Sequence, residues 1–399
     1  MNRVLFVIIQ KFNPTMGGVE RSTYRIGNEL ISRGYDVGVF SFEKLNGEIS
    51  GIDISQFRIY NCSENGLNKN SENLNRLKEI IDEFKPDYII NQMPYEHNIT
   101  RLLKAVQEDR NFFLIGCLRQ TLFSVKNNID SYIARLLPSL MKPFFKNSLG
   151  RKAFRLFHWY NHRNSLKFIL SSYDKFTFYA EPNYDELSYF LPNYDSSKTT
   201  TIPNSLPYIS SEVPDKEKRI LWLGRLVYKQ KRADFILPLW KILKDRLPDW
   251  EMDVVGEGSA YNDLQRQIKE ERIDRITLYG RQIPDGFYSK APIFVMTSAY
   301  EGFGNTVIEA QSYGAIPFLF DTYAMASWIV SHGNNGFLIE PFNINAMADS
   351  IIAFVESKQE DQLSIQENAL KNARRFEIGL IGDKWEALLK ELENSSGVT

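Results

Sequence analysis

The sequence predicts an α/β protein built as two doubly wound domains, each a parallel sheet covered by helices. Three observations predict it. Short apolar runs alternate with helix-period segments along all 399 residues. Glycine-containing stretches follow several of those runs, where strands hand over to helices. Apolar content of 43% is ordinary for a globular chain, and the length suits about two to three domains with their own cores.

The elements follow in order. Val4–Ile9 reads as a strand. Val19–Arg33 is a helix with Val19, Ile26, Leu30 and Ile31 on one face, closed by Gly34. Tyr35–Ser41 is a strand, Asn73–Phe84 a helix, Asp87–Asn91 a strand, Glu96–Glu108 a helix and Asn111–Leu118 a strand. After a basic stretch, Lys175–Tyr179 and Lys198–Ile202 add two short strands. Prolines 203 and 207 and the polar Ser210–Lys218 mark an interdomain connection. A second series has strands at Arg219–Gly224, Met252–Gly256, Ile276–Gly280, Pro292–Thr297 and Ala315–Phe320. Its helices fit Ala233–Leu247, Ala260–Glu271, Asn305–Tyr313, Ala346–Ser357 and Asp361–Arg375, and an amphipathic helix, Gly379–Glu393, closes the chain. Two such domains imply a cleft, with ligands beyond the carboxyl ends of the strands.

Composition excludes several classes. The net charge of −1 argues against a nucleic-acid binder. Cys62 and Cys117 form neither a disulfide framework nor a zinc pattern, and the four scattered histidines make no metal site. No apolar run approaches the roughly 18 residues of a membrane span. The opening Val4–Ile9 is too short for a secretory h-region, so a cytoplasmic chain is expected. The charge is unevenly spread, however. Between Arg119 and Leu170 there are ten Lys or Arg and one acid, Asp130, a local charge of +9. A basic block in an acidic body suggests a charged-surface partner.

Three motifs lie at strand-to-helix turns. Gly17 and Gly18, in Asn13–Glu20, allow backbone amides close to an anion, or simply make a tight turn. Gly224–Arg232 concentrates Arg225, Lys229, Lys231 and Arg232 after a strand, either a phosphate clamp or a solvated loop. Tyr300–Ala310 is the most specific. Gly302 and Gly304 open a loop whose amides, with those of Asn305 and Thr306, can cradle a phosphate at a helix start. Glu301 and Glu309 stand eight residues apart, and Glu309 sits among apolar neighbours that demand a partner for it. Gly256-Glu257-Gly258 lacks the third glycine of a dinucleotide fingerprint, and no Asp-x-Asp metal clamp occurs.

Together, Arg225 with Lys231, Glu301 and Glu309 as E-x7-E, and Gly17-Gly18-Val19-Glu20 resemble the family 4 retaining glycosyltransferases of the GT-B fold. Ile202-Pro203-Asn204, Gly256-Glu257-Gly258 and Asn335-Gly336-Phe337-Leu338 add to the likeness. The resemblance implies residues 1–205 as an acceptor-binding Rossmann-like domain with a basic, aromatic insertion at 119–170. It implies 206–378 as a nucleotide-sugar-binding Rossmann-like domain and 379–399 as a helix crossing back to the first. It implies that Arg225 and Lys231 hold the donor diphosphate, Glu301 the donor sugar and Glu309 the ribose. The amides of Phe303, Gly304 and Asn305 would meet sugar or phosphate, Gly17 and Gly18 would face the diphosphate, and Gln282–Ile283 would lie near the base. No metal and no cofactor beyond the nucleotide-sugar donor, by default a UDP-sugar, is implied. Two departures stand out. Gln230 occupies the usual lysine position, leaving Lys231 or Lys229 for the role. The histidine that many members carry after a first-domain strand is missing, and Arg119 or Gln120 stands there.

The basic block also holds nine aromatic residues, and Phe145, Leu149, Ala153, Leu156 and Tyr160 recur at helical spacing. That suits an interfacial helix on an anionic bilayer carrying a lipid-linked saccharide, or an insertion packed on its own domain. Arg119, Gln120, Arg151, Arg155 and Trp159 are the candidate acceptor or membrane contacts. Polysaccharide or glycan assembly at the inner face of the membrane is the expected setting, with no nucleic acid involved. The alternatives are a sugar-nucleotide epimerase of the same fold and a non-catalytic membrane-associated scaffold.

Overall fold

The structure is a computed structural model that describes residues 2–15, 17–44, 52–62, 71–123, 129, 133, 137–138, 141–145 and 147–395. Met16, and Asp130 and Tyr132 of the basic block, lie outside the described residues. The chain divides into two compact units, Met1–Ser205 with Ile378–Thr399, and Leu206–Glu377.

Unit 1 holds a seven-stranded parallel sheet in the order β3-β2-β1-β4-β5-β6-β7. Its strands are β1 (Arg3–Ile8), β2 (Asp36–Ser41), β3 (Arg58–Asn61), β4 (Tyr88–Asn91), β5 (Phe113–Cys117), β6 (Lys175–Phe178) and β7 (Thr199–Thr201). Strands buried on both faces read as unbroken apolar runs, and Val4 to Ile8 are all fully buried. One face is covered by α2 (Ser71–Phe84), α3 (His97–Glu108), α4 (Ser148–Ser172) and α5 (Pro182–Phe190) through Leu77, Ile81, Leu103, Leu166, Ile169 and Leu187. The other is covered by α1 (Gly18–Ser32) through Ile26 and Leu30 and by the C-terminal helix through Ile381, Trp385 and Leu389. That last helix is also held by charge: Arg33, which caps α1, pairs with Glu29, Asp383 and Glu386.

Unit 2 holds a six-stranded parallel sheet in the order β10-β9-β8-β11-β12-β13. Its strands are β8 (Arg219–Leu223), β9 (Glu251–Val255), β10 (Ile276–Gly280), β11 (Ile293–Met296), β12 (Ile316–Phe320) and β13 (Phe337–Ile339). The helices are α6 (Ile236–Arg246), α7 (Tyr261–Glu270), α8 (Asp285–Lys290), α9 (Asn305–Gln311), α10 (Ala324–Ile329), α11 (Ile344–Glu356) and α12 (Gln359–Ala373), with α13 (Ile378–Ser395) returning to unit 1. Trp222 and Trp240 anchor the core. The strand order reverses between β8 and β11, so the loops leaving these two strands are neighbours.

The sequence reading omits β3, β13, α5, α8 and α10. These elements span nine residues or fewer, too short for a helical or alternating period to establish itself.

Histidines in unit 1 make its stability depend on pH. His162 of α4 stacks on Tyr95 at 5.6 Å, meets Phe190 edge-on at 4.7 Å and lies 5.3 Å from the His158 ring. Burial, reinforced by His158, pushes its imidazole down to about 4, and burial also lowers His158 and His97. Between about 4 and the ordinary 6.5 the unfolded chain binds the proton that the folded chain excludes, so stability falls as pH drops through that window. The urea midpoint is expected to fall from pH 7 to pH 5, and less steeply in His162→Phe. Equal pH dependence in the two proteins would remove His162 from this account.

Candidate active site

The switch point of unit 2 brings the two strongest motifs together. Lys231 ends the loop leaving β8, and Glu301 lies in the loop leaving β11. Lys231 Nζ donates to Glu301 Oε1 at 2.5 Å, with the two side chains only 13% and 11% exposed. Such a pair survives burial only when well bonded, and the surrounding structure holds it. Thr297 Oγ1 donates to the Lys231 carbonyl at 2.8 Å and accepts from Trp222 Nε1 at 2.9 Å. The Ala299 amide donates to the Gln230 carbonyl at 2.7 Å. Thr297 carries no motif; only its place directly after a strand could have signalled it.

The four cations of this loop separate into different roles. Arg225 is exposed and donates from Nη2 to Gln230 Oε1 at 2.6 Å. Gln230, standing where the family's lysine is usual, therefore orients the arginine. Lys229 is exposed, whereas Lys231 lies in the pair with Glu301. Arg232 is taken up by Asp234 and lies over the Phe235 ring at 4.1 Å and the Phe342 ring at 4.9 Å.

The glycine loop continues directly from Glu301. Gly304 caps α9 with φ of +100°, and a Cβ there would stand 2.5 Å from Tyr323 Oη. Phe303 turns its ring into the core against Phe376 and Trp328, at 5.8 and 6.3 Å, so only its backbone remains for a ligand. Asn305 and Thr306 open the helix. Glu309 is buried and accepts from Tyr288 Oη at 3.3 Å, which supplies a partner its apolar neighbours do not. Gly256 lets the loop after β9 cross the loop after β8: its φ is +137°, and a Cβ would meet the Gly224 carbonyl at 1.9 Å. Ile283 is 80% exposed, just ahead of α8.

In unit 1, Gly17 caps α1 and Gly18 begins it. The Glu20 carboxylate folds back over Gly17, where a Cβ would stand 2.0 Å from Oε2, and burial raises its carboxyl above the usual range. Arg119 is half-buried and Gln120 exposed, both just past β5.

The basic block differs from expectation in detail. The stripe of Leu149, Ala153, Leu156 and Tyr160 on α4 faces outward, with Leu149, Leu156 and Tyr160 at 78%, 69% and 58% exposure. Phe157 beside it is 66% exposed, and Met141 and Phe144 just ahead of the helix are also exposed. The opposite face carries Phe154, which packs with Ile129 and Ile133, and then Leu166 and Ile169. Phe145 departs from the stripe: it is half-buried, 6.0 Å from Phe154. Trp159 is no free surface contact, because its Nε1 donates to the Tyr189 carbonyl at 3.2 Å and its ring packs on the core. Arg151 is half-buried too, whereas Lys152, Arg155 and Lys167 are exposed. No helix among the described residues is long and apolar enough to cross a membrane.

Comparisons with known proteins bear on this geometry. Residues 209–372 match the family described as "Glycosyl transferases group 1", and residues 16–115 match "Glycosyltransferase Family 4". An uncharacterised glycosyltransferase of Haemophilus influenzae is 23% identical over 94% of this chain and 96% of its own. The poly(glycerol-phosphate) alpha-glucosyltransferase of Bacillus subtilis is 25% identical over 48% of this chain, which spans 28% of that protein. Staphylococcus aureus TarM, solved with UDP and alpha-GlcNAc-glycerol, superposes with a TM-score of 0.72 at 15% identity, over 98% of this chain and all of the other. Two parallel sheets, each with its loops at the strand ends, thus form a GT-B protein. The chain belongs to the family 4 glycosyltransferases, with the group 1 match on unit 2 and the family 4 match on unit 1.

Proposed function

We propose that this glycosyltransferase moves a sugar from a UDP-sugar to a saccharide or lipid-linked saccharide, with retention at the anomeric carbon and without a metal. The buried Lys231–Glu301 pair beside the exposed Arg225 carries the reading. Breaking the bond from the anomeric carbon to the diphosphate puts negative charge on the leaving oxygen. Arg225 and Lys231 are fixed cations for that charge, and prepaid orientation makes such groups effective. Glu301 accepts from donor-sugar hydroxyls and Glu309 from those of the ribose. The amides of Phe303, Gly304 and Asn305, with Thr306, receive sugar or phosphate, and Ile283 lies beside the base. In unit 1, the Gly17 and Gly18 amides at the start of α1 are suited to a phosphate. The acceptor oxygen forms the new bond on the face the diphosphate leaves, and its proton passes to the leaving phosphate.

The outward stripe of α4, with Lys152 and Lys167 along it, supports contact with the inner, anionic face of a membrane that presents the acceptor. Polysaccharide or glycan assembly is the setting this implies.

Thermal unfolding with UDP, GDP and ADP and their sugar derivatives tests the donor. Uridine compounds should raise the midpoint, since a ligand at 100 times its Kd adds about 2.7 kcal/mol. The stabilising UDP-sugar should then yield UDP only when an acceptor is present, with EDTA leaving the rate unchanged. Stabilisation by another nucleotide series alone, or release of an epimerised sugar nucleotide without acceptor, would replace this reading.

A further inference from the structure

We infer that unit 1 contains an anion-recognition point at Arg119, so that the substrate seated there carries a carboxylate or a phosphate. Arg119 lies two residues beyond β5, where the carboxyl ends of four parallel strands converge. Its Nε donates to Oε1 of Gln92, the residue after β4, and its Nη1 donates to Asn204 Oδ1, beyond β7, at 3.3 Å. Its guanidinium stands 5.7 Å over the ring of Tyr179, the residue after β6. These supports are themselves fixed. Gln92 is buried, and its amide donates to the Val7 carbonyl at 3.0 Å. Asn204 is buried and accepts from Ser22 Oγ at 3.1 Å. The arginine is therefore held from three sides.

None of those partners carries charge. Among the described residues Arg119 makes no ion pair, and its hydrogen-bond acceptors are amide oxygens. Three other half-buried arginines, Arg33, Arg219 and Arg275, are treated differently. Arg33 meets Glu29, Asp383 and Glu386; Arg219 meets Glu217, Glu251 and Asp253. Arg275 bonds the carbonyls of Lys244, Leu247, Pro248 and Trp250 at the end of α6, where the helix supplies partial negative charge, and it has Asp274 beside it. A guanidinium taken partly out of water without a counter-charge is costly, and an incoming anion offsets that cost. The planar fork suits two-point contact with carboxylate or phosphate. Its location, beyond the carboxyl ends of parallel strands, is where doubly wound sheets receive ligands. Within the transferase reading, on which this rests, the anion belongs to the acceptor.

The test uses the full chain saturated with UDP, so that unit 2 is occupied. Glycerol 3-phosphate and glucuronate are titrated beside their neutral counterparts, glycerol and glucose. The wild type should bind at least one anionic probe with a Kd of about 10 mM or better and show no comparable affinity for its counterpart. The preferred probe distinguishes a phosphate-bearing from a carboxylate-bearing substrate. Arg119→Gln should weaken that binding about tenfold or more, Arg119→Lys by less, because a point charge survives without the fork. UDP affinity should be unchanged in both variants, and Arg119→Lys alone decides the comparison if the glutamine variant does not fold. No anion preference in the wild type, or equal probe affinity in wild type and variants, overturns the proposal. Failure of UDP to bind the wild type would instead count against the donor assignment.

Discussion

Arg225→Ala is expected to lower sugar transfer about 10²-fold or more, the scale of losing one charge-stabilising contact, while leaving the unfolding midpoint in place. Arg225 is exposed, and its hydrogen bond to Gln230 is of the kind whose loss barely moves stability. Glu301→Ala should cost transfer on the same scale of about 10²-fold, but with a second signature. Its removal strands the Lys231 ammonium, only 13% exposed, without its carboxylate. Breaking a buried pair from one side costs about 3 kcal/mol or more, so this variant should melt earlier as well. Double substitution of Lys231 and Glu301 by neutral residues should recover part of the stability and none of the transfer. Near-wild-type turnover in Arg225→Ala or Glu301→Ala would refute the site. Steady-state rates and thermal melts of the four proteins provide the measurement.

Vesicle binding should disappear when Leu149, Leu156 and Phe157 are replaced together by serine. These side chains are 78%, 69% and 66% exposed, so the fold does not depend on burying them. Against a bilayer each would bury apolar area worth about 1.5–3 kcal/mol at full depth. Partial insertion of three therefore predicts a loss of about 10²-fold or more in partitioning. Lys152→Glu with Lys167→Glu should weaken binding to anionic vesicles selectively, and salt should do the same to the wild type. Co-sedimentation with anionic and zwitterionic vesicles reads both effects, and unchanged melting confirms the fold. A wild-type chain that ignores anionic vesicles at low salt would end the membrane reading.

Much of the candidate site is legible in the sequence. Glu301, Gly304 and Glu309 stand in one loop-to-helix segment, so their spacing is local information. Lys231 was less so. A choice between Lys229 and Lys231 depends on which side chain turns toward β11, and that turn follows from the Ala299–Gln230 backbone bond and the Thr297 hydroxyl. For Trp159 the sequence leaves the setting of the indole open, because an aromatic residue in a basic run looks the same whether its indole faces lipid or a carbonyl. Here the Tyr189 carbonyl took it. Arg119 was visible as a departure from the family pattern, but its neutral surroundings come from Gln92 and Asn204, 27 and 85 residues away in the chain.

The sequence by itself determined the alternation of strands and helices, the two glycine-bearing turns and the stripe on α4, because each is a periodicity or spacing within a short segment. Only the tertiary structure decided which apolar side of α4 is buried, since Phe154, Leu166 and Ile169 are no more apolar than the outward stripe and burial is settled by distant neighbours. It likewise decided that Lys231 meets Glu301. The two are 70 residues apart in the chain, and they are brought together by the adjacency of β8 and β11 at the point where the strand order reverses.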